Sequence, residues 1–262
     1  MARARLLRFL PAFAFSALAL PAVAAPVAAT ANYIVTLGGI NIAELQVGLK
    51  DDGKRYDIDA SANVAGLGSI VASGTASVQS TGSSSGPGLV SQKFDLLTRA
   101  RGEDFSIKVA YAGRNVESFV VTPPILDNVD RVPIERSQLS GVNDFLASFV
   151  LKGGALDKSL CTRKARIFTG VERFDIALSY AKDDVATSQR TGYQGPVVLC
   201  SVHYTPVSGH FTSSDVTKYL ANSDRILIWY APMLDTGYFI PYRVLLTTTI
   251  GDLSMVLTGM KN

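Results

Sequence analysis

The chain is poor in the residues that most often carry chemistry. Its 262 residues include two cysteines, two histidines and one tryptophan, and charged residues make up only 18%. The histidines, His203 and His210, have no Asp or Glu at ligand spacing, so they fall short of a zinc or iron set. Cys161 and Cys200 lie too far apart in sequence for a Cys-x-x-Cys redox motif. A charged share well under the usual ~25%, together with 47% apolar residues, excludes a disordered chain and a coiled coil. No repeat of 20–50 residues occurs and no linker divides the chain. Beyond the N-terminus no segment is apolar for long enough to span a bilayer as a helix.

Charge of one sign is also scarce once the first residues are set aside. Arg3, Arg5 and Arg8 precede any acidic residue, the first being Glu44. The apolar run Phe9–Leu20 follows, and Ala22-Val23-Ala24 and Ala29-Thr30-Ala31 are small-x-small cleavage sites. This is the pattern of a secretory signal peptide over residues 1–24, with cleavage after Ala24 or Ala31. Pro11 and Pro21 interrupt the stretch, against an uncleaved membrane anchor. No cysteine stands at the junction, which argues against a lipid-anchored N-terminus. Of 25 basic residues the leader removes three, leaving 22 against 22 acidic ones. A neutral body without a basic stripe speaks against nucleic acid and against docking on an anionic membrane. The expectation is a periplasmic protein, with residues 32–262 as one β-rich domain. Export places Cys161 and Cys200 in an oxidising compartment, where they are expected to form a structural disulfide.

What the chain has in quantity is alternation. Tyr56, Ile58, Ala60, Ala62 and Val64 take every second position, and so do Phe105, Ile107, Val109 and Tyr111, then Phe174, Ile176, Leu178 and Tyr180. Ile40–Leu49 joins the first of these through Asp51-Asp52-Gly53-Lys54, a hairpin turn in which Gly53 supplies a positive φ. Further strands are expected over Ile70–Val78, Leu89–Leu97, Val116–Val121, Val197–Thr205, Arg225–Tyr230, Tyr242–Ile250 and Ser254–Leu257. Arg166–Tyr180 and Val185–Tyr193 read as a hairpin. The fold class is all-β: an antiparallel barrel, or a spiralling half-open one, with one or two short helices. The first helix has Val142, Phe145, Leu146, Phe149 and Val150 on one stripe, Ser140 as N-cap and Gly153-Gly154 as stop. The second runs Asp215–Ala221 after Ser213-Ser214, placing Val216, Tyr219 and Leu220 together. Both are read as closing the core. Ser80–Gly88, dominated by Ser and Gly, reads as a flexible loop.

Several patterns approach chemistry without reaching it. Gly82-Ser83-Ser84-Ser85-Gly86 matches Gly-x-Ser-x-Gly but lacks the apolar strand before and the helix after that a nucleophile elbow needs. Cys200 and His203 sit at i and i+3 of a strand, on opposite faces. Arg163-Lys164-Arg166 reads as a solvated strand edge. Asp57 with Asp59, and Asp183 with Asp184, lack the apolar surroundings that would raise one pKa. No catalytic residue, metal ligand or cofactor is assigned. The aromatic-rich last third, with Tyr219, Trp229, Tyr230, Tyr238, Phe239 and Tyr242, suits either an ordinary core or a wet-rimmed apolar pocket. The reading is a non-enzymatic cell-envelope protein that binds an apolar ligand or a protein partner. The alternatives are an envelope hydrolase with an unrecognised site, or a purely structural module.

From about Tyr33 onward the chain resembles an exported bacterial family known as domain of unknown function 3108. The resemblance rests on Tyr33 with Gly38-Gly39-Ile40, Asp130-Arg131-Val132-Pro133, Asn143-Asp144, Cys161, Phe168-Thr169-Gly170 and Arg173-Phe174-Asp175. Cys200, Gly209, the Trp229 strand, Pro241-Tyr242-Arg243 and Gly251 complete it. It implies a periplasmic, mainly antiparallel β protein. In architecture it is similar to periplasmic proteins that form an incomplete, spiralling barrel. No activity or site residue comes with it.

Overall fold

The computed structural model describes residues 26–66, 74–125, 130–248 and 251–262. The leader 1–24 lies outside the described residues. Fourteen strands are found among those described. They are β1 Val27–Leu37, β2 Ile40–Asp51, β3 Arg55–Val64, β4 Gly74–Ser83, β5 Val90–Ala100, β6 Glu103–Ala112 and β7 Asn115–Thr122. The second half adds β8 Leu151–Lys152, β9 Lys164–Phe168, β10 Arg173–Ala186, β11 Gly195–Ser208, β12 Ile226–Pro232, β13 Tyr238–Thr248 and β14 Gly251–Lys261. All belong to one antiparallel sheet, ordered β7-β6-β5-β4-β3-β2-β1-β14-β13-β12-β11-β10-β9, with β8 beside β13. Two meanders meet where β1 pairs with β14, Tyr33 opposite Leu257.

The period of two sets the burial. In β3 Tyr56, Ile58 and Ala60 are buried while Asp59 and Ser61 are exposed. Asp51 to Lys54 makes the expected turn, Gly53 standing at φ 85°. The sheet curls but is not closed by strand pairing, because β7 and β9 are both edges. The segment between them does that work. Ser140 bridges Asn115 in β7, and Asn143 bridges Ile167 in β9. Asn143 N donates to Arg166 O at 2.8 Å and its own carbonyl accepts from Phe168 N at 3.0 Å. Across the seam Tyr111 Oη donates to Phe168 O at 2.8 Å, and the Phe119 and Phe168 rings meet edge-on at 5.2 Å. Gly170, at φ 91°, lies against β6 so closely that an added Cβ would stand 2.1 Å from Ile107 Cγ2.

This seam explains where the first helix begins. Ser140 is not its N-cap. Ser140 and Asn143 bridge the two edges and Gly141 turns between them at φ 68°, so helix α1 spans only Phe145–Phe149 and Asp144 caps it, Oδ1 accepting from Ala147 N at 2.9 Å. Helix α2, Asp215–Asn222, is capped by Ser214. It closes the core less than its stripe suggested: Leu220 is partly buried, but Val216 is 69% exposed. Three strand boundaries also move. Val185–Tyr193 is not a strand: β10 continues to Ala186, and β11 starts at Gly195 as its hairpin partner. β4 begins at Gly74, so the first residues of Ile70–Val78 fall outside the described residues. Ser80–Ser83, expected to be loop, belongs to β4.

Candidate functional site

Between the concave face of the sheet and the two helices lies an apolar cavity of about 370 Å³. Its walls are inward positions of the curled strands: Tyr33 on β1, Val47 on β2, Ile176 on β10, Val202 on β11, Ile228 on β12, Val244 on β13 and Met255 on β14. Leu146 and Phe149 of α1 and Leu220 of α2 contribute one side. No charged side chain lines it. The volume falls in the range of about 300–1,000 Å³ usual for small-molecule sites. A lining of this kind solvates alkyl or aryl groups and offers an ion nothing.

Near one end of the strands a buried polar cluster holds α1 in place. Asp144 is wholly buried. Its Oδ2 accepts from Ser80 Oγ at 2.6 Å and Ser91 Oγ at 2.5 Å, and Tyr56 Oη lies 3.0 Å from Ser80 Oγ. Asn143 accepts from Ser91 N at 2.8 Å and donates to Leu89 O at 2.8 Å. Burial pushes the Asp144 carboxyl above its ordinary range, although four hydrogen bonds work the other way. A second carboxylate, Asp51, accepts from Ser84 Oγ, from Tyr238 Oη at 2.5 Å and from Gly53 N at 2.9 Å, with Lys152 Nζ 3.5 Å away. Burial alone would raise the Asp51 pKa; the hydrogen bonds and the lysine outweigh it and hold it below the ordinary range. The serine-rich stretch is therefore not a flexible loop throughout. Ser80 and Ser84 are wholly buried, and at Gly82 any side chain would run into Val90 O and the Tyr56 ring.

The cluster does not pair a serine with a histidine. Ser84 is shut away from solvent, its hydroxyl donates to Asp51, and both histidines are on or just after β11, His203 exposed. Cys200 is bonded to Cys161, with Cα atoms 5.4 Å apart, while His203 faces the other way. The acid pairs remain separate: Asp57 accepts from Gln79 at 3.0 Å, and Asp184 from Trp229 Nε1 at 3.0 Å. Lys164 and Arg166 are exposed, but Arg163 departs from the expected solvated edge: it turns inward and donates to Lys152 O at 3.2 Å.

None of the six aromatics singled out in the last third lines the cavity; its rings are Tyr33, Phe145, Phe149, Phe174 and Tyr204. Strand parity could have found three of them, since Tyr33, Phe174 and Tyr204 share a face with neighbouring apolar positions. Nothing in local sequence marks Asp51 and Asp144 as buried.

The family model described as protein of unknown function (DUF3108) matches residues 32–258. The chain belongs to that family. No curated protein matches it in sequence. It is similar to a solved β-barrel-like protein of domain of unknown function DUF1849 from Brucella abortus, at 12% identity and a TM-score of 0.48, over 92% of this chain and 99% of that one. No helix among the described residues is long and apolar enough to cross a membrane.

Proposed function

We propose that this member of the DUF3108 family is a non-enzymatic protein of the bacterial cell envelope that binds an apolar small molecule inside its curled sheet. The apolar cavity of about 370 Å³ carries this reading. Burying an apolar ligand there is driven by ~25 cal/mol per Å² removed from water. Support for the location comes from the leader pattern of Arg3, Arg5, Arg8 and Phe9–Leu20. The polar cluster serves the cavity indirectly, by fixing α1, which supplies Leu146 and Phe149 to its wall. A hydrolase reading has no support in Ser84, which meets Asp51 and no histidine.

The test is a titration of the purified, delipidated protein with the neutral fluorescent probe N-phenyl-1-naphthylamine. Saturable binding is expected, and Val202→Trp, which fills the cavity from β11, should abolish it while leaving the circular-dichroism spectrum unchanged. Equal binding by Val202→Trp would sink the cavity reading.

A further inference from the structure

One phenol beside the cavity lacks the partner that a buried hydroxyl normally has. Tyr33 lines the cavity, is 3% exposed and neighbours Tyr230. Tyr230 is wholly buried, and its hydroxyl has no partner. Burial, and then the neighbouring Tyr230, push the Tyr33 pKa well above the ordinary phenol range, so both groups stand as neutral donors. An unpaired buried hydroxyl destabilises a fold, whereas phenylalanine fills nearly the same space without that loss. Local rules broken in this way cluster at functional sites.

What lies beside Tyr230 says what its hydroxyl is for. With Arg163 and Ser148 it lines a void of about 10 Å³. Phe149 and Ile176 border both this void and the large cavity. The void has room for about one oxygen-sized group. The Ser148 hydroxyl is already committed to Asp144 O at 2.6 Å. The Arg163 guanidinium is held by the Lys152 carbonyl and has no carboxylate partner among the described residues. Across Phe149 and Ile176 from the all-apolar cavity stand one unpaired donor and a cation.

Building on the apolar-ligand reading above, we propose that the occupant is a single acyl chain inserted carboxyl end first. One carboxyl oxygen sits in the void, accepts from Tyr230 and faces Arg163. The chain fills the cavity back toward Leu220 and Val244. At the ratio by which a cavity of about 150 Å³ takes the six carbons of benzene, about 370 Å³ holds roughly a dozen to fifteen carbons. A large polar headgroup does not fit this arrangement, because no other charged side chain lines the space. The matching chemistry is a medium-chain fatty acid.

Displacement of N-phenyl-1-naphthylamine by saturated fatty acids, from hexanoic to hexadecanoic, tests this. Affinity should rise about fourfold per methylene and level off at roughly a dozen to fifteen carbons. Tyr230→Phe should weaken dodecanoic acid about tenfold, leave the probe unaffected, and leave the melting temperature of the ligand-free protein unchanged or raised. Arg163→Gln, on a different element, provides a second variant, and it should weaken the acid but not the probe. A single ordered water is the competing occupant of the void. In that case Tyr230→Phe lowers the melting temperature and leaves fatty-acid affinity untouched, which overturns the proposal. Probe binding that no fatty acid displaces also overturns it while leaving the apolar cavity standing. If the probe itself fails to bind, the cavity reading fails first.

Discussion

Ser80 donates a hydrogen bond of 2.6 Å to Asp144, sixty-four residues away, and both side chains are wholly buried. That contact ties β4 to the segment that bridges the two sheet edges. Asp144 is at once the N-cap of α1, the acceptor for Ser80 and Ser91, and the residue after the Asn143–Ile167 bridge. Its removal should therefore be felt across the fold. Asp144→Ala leaves several buried donors unpaired, each worth ~1–3 kcal/mol, and removes a helix cap worth ~1 kcal/mol. Urea denaturation should show a loss of about 2–4 kcal/mol. A loss under about 0.5 kcal/mol would mean that the cluster is dispensable.

The two buried carboxylates should respond to pH with opposite signs. The Asp144 pKa is raised on folding, mainly by burial, so its contribution is full below the unfolded pKa and is lost as pH rises through the folded one. The Asp51 pKa is lowered, so its contribution is present above the unfolded value and is lost as pH falls through the folded one. Stability of Asp144→Asn relative to wild type should improve as pH rises from acid to neutral. Asp51→Asn should lose ground over the same change. Parallel curves for wild type and Asp144→Asn would show that Asp144 does not titrate differently in the two states.

Gly170 gives a local test of the seam. At φ 91° it approaches β6, and a Cβ would stand 2.1 Å from Ile107 Cγ2 and 3.1 Å from Val109 Cγ2. Gly170→Ala combines a positive-φ penalty with a clash that the turn can relieve only by withdrawing from β6. A loss of about 1–3 kcal/mol is expected, with faster amide exchange on β9 and β6. Protection confined to wild-type levels on both strands would show that the turn relaxes without opening the seam.

The strands were legible because each edge of the pattern is local. Tyr56, Ile58 and Ala60 declare their face without reference to anything distant, and Gly53 declares its turn. The seam was not legible, because Ser140 and Asn143 are held out of the helix only through bridges to Asn115 and Ile167, tens of residues away. The helix stripe beginning at Val142 is real as a pattern, but tertiary pairing overrides its first turn. The serines misled for a related reason. Ser80 and Ser84 carry the composition of a loop, and only Asp144, on the bridging segment, and Asp51, two strands away in the β2–β3–β4 meander, make their burial tolerable. The cavity follows the same logic: its lining comes from seven strands and two helices, so no single segment shows it.

The proposed envelope location predicts a specific N-terminus. Protein recovered from the periplasmic fraction should begin at Ala25 or, with the second site, at Asn32. Edman sequencing would read this directly. Cleavage after Ala31 would remove the start of β1, Val27 to Ala31, and with it the pairing of Ala29 with Leu49 and Ala31 with Val47. Ala29 and Ala31 are both buried. The fold therefore favours Ala25, and intact Met1 in a membrane pellet would refute processing altogether.

The Cys161–Cys200 bond should matter most to the wall of the cavity. Cys161 sits in a 3₁₀ turn, Lys158–Thr162, that leads into β9, while Cys200 lies in the middle of β11 between Tyr180 of β10 and Ile228 of β12. The chain reaches Cys200 by leaving the sheet edge, where Arg163 O accepts from Leu178 N at 2.9 Å. Both cysteines are buried among Ile176, Val202 and Ile228, which also line the cavity. The bond closes a loop of sequence separation 39, which should contribute about 2–4 kcal/mol by restricting the unfolded chain. Denatured, unreduced protein from the periplasm should contain no free thiol. Replacing both cysteines by Ser should lower the urea midpoint while keeping the far-ultraviolet spectrum. Because the released turn no longer braces β11, the double variant should also bind N-phenyl-1-naphthylamine more weakly, by a few-fold. Two free thiols per chain, or an unchanged midpoint in the double variant, would show that the core is held by packing alone.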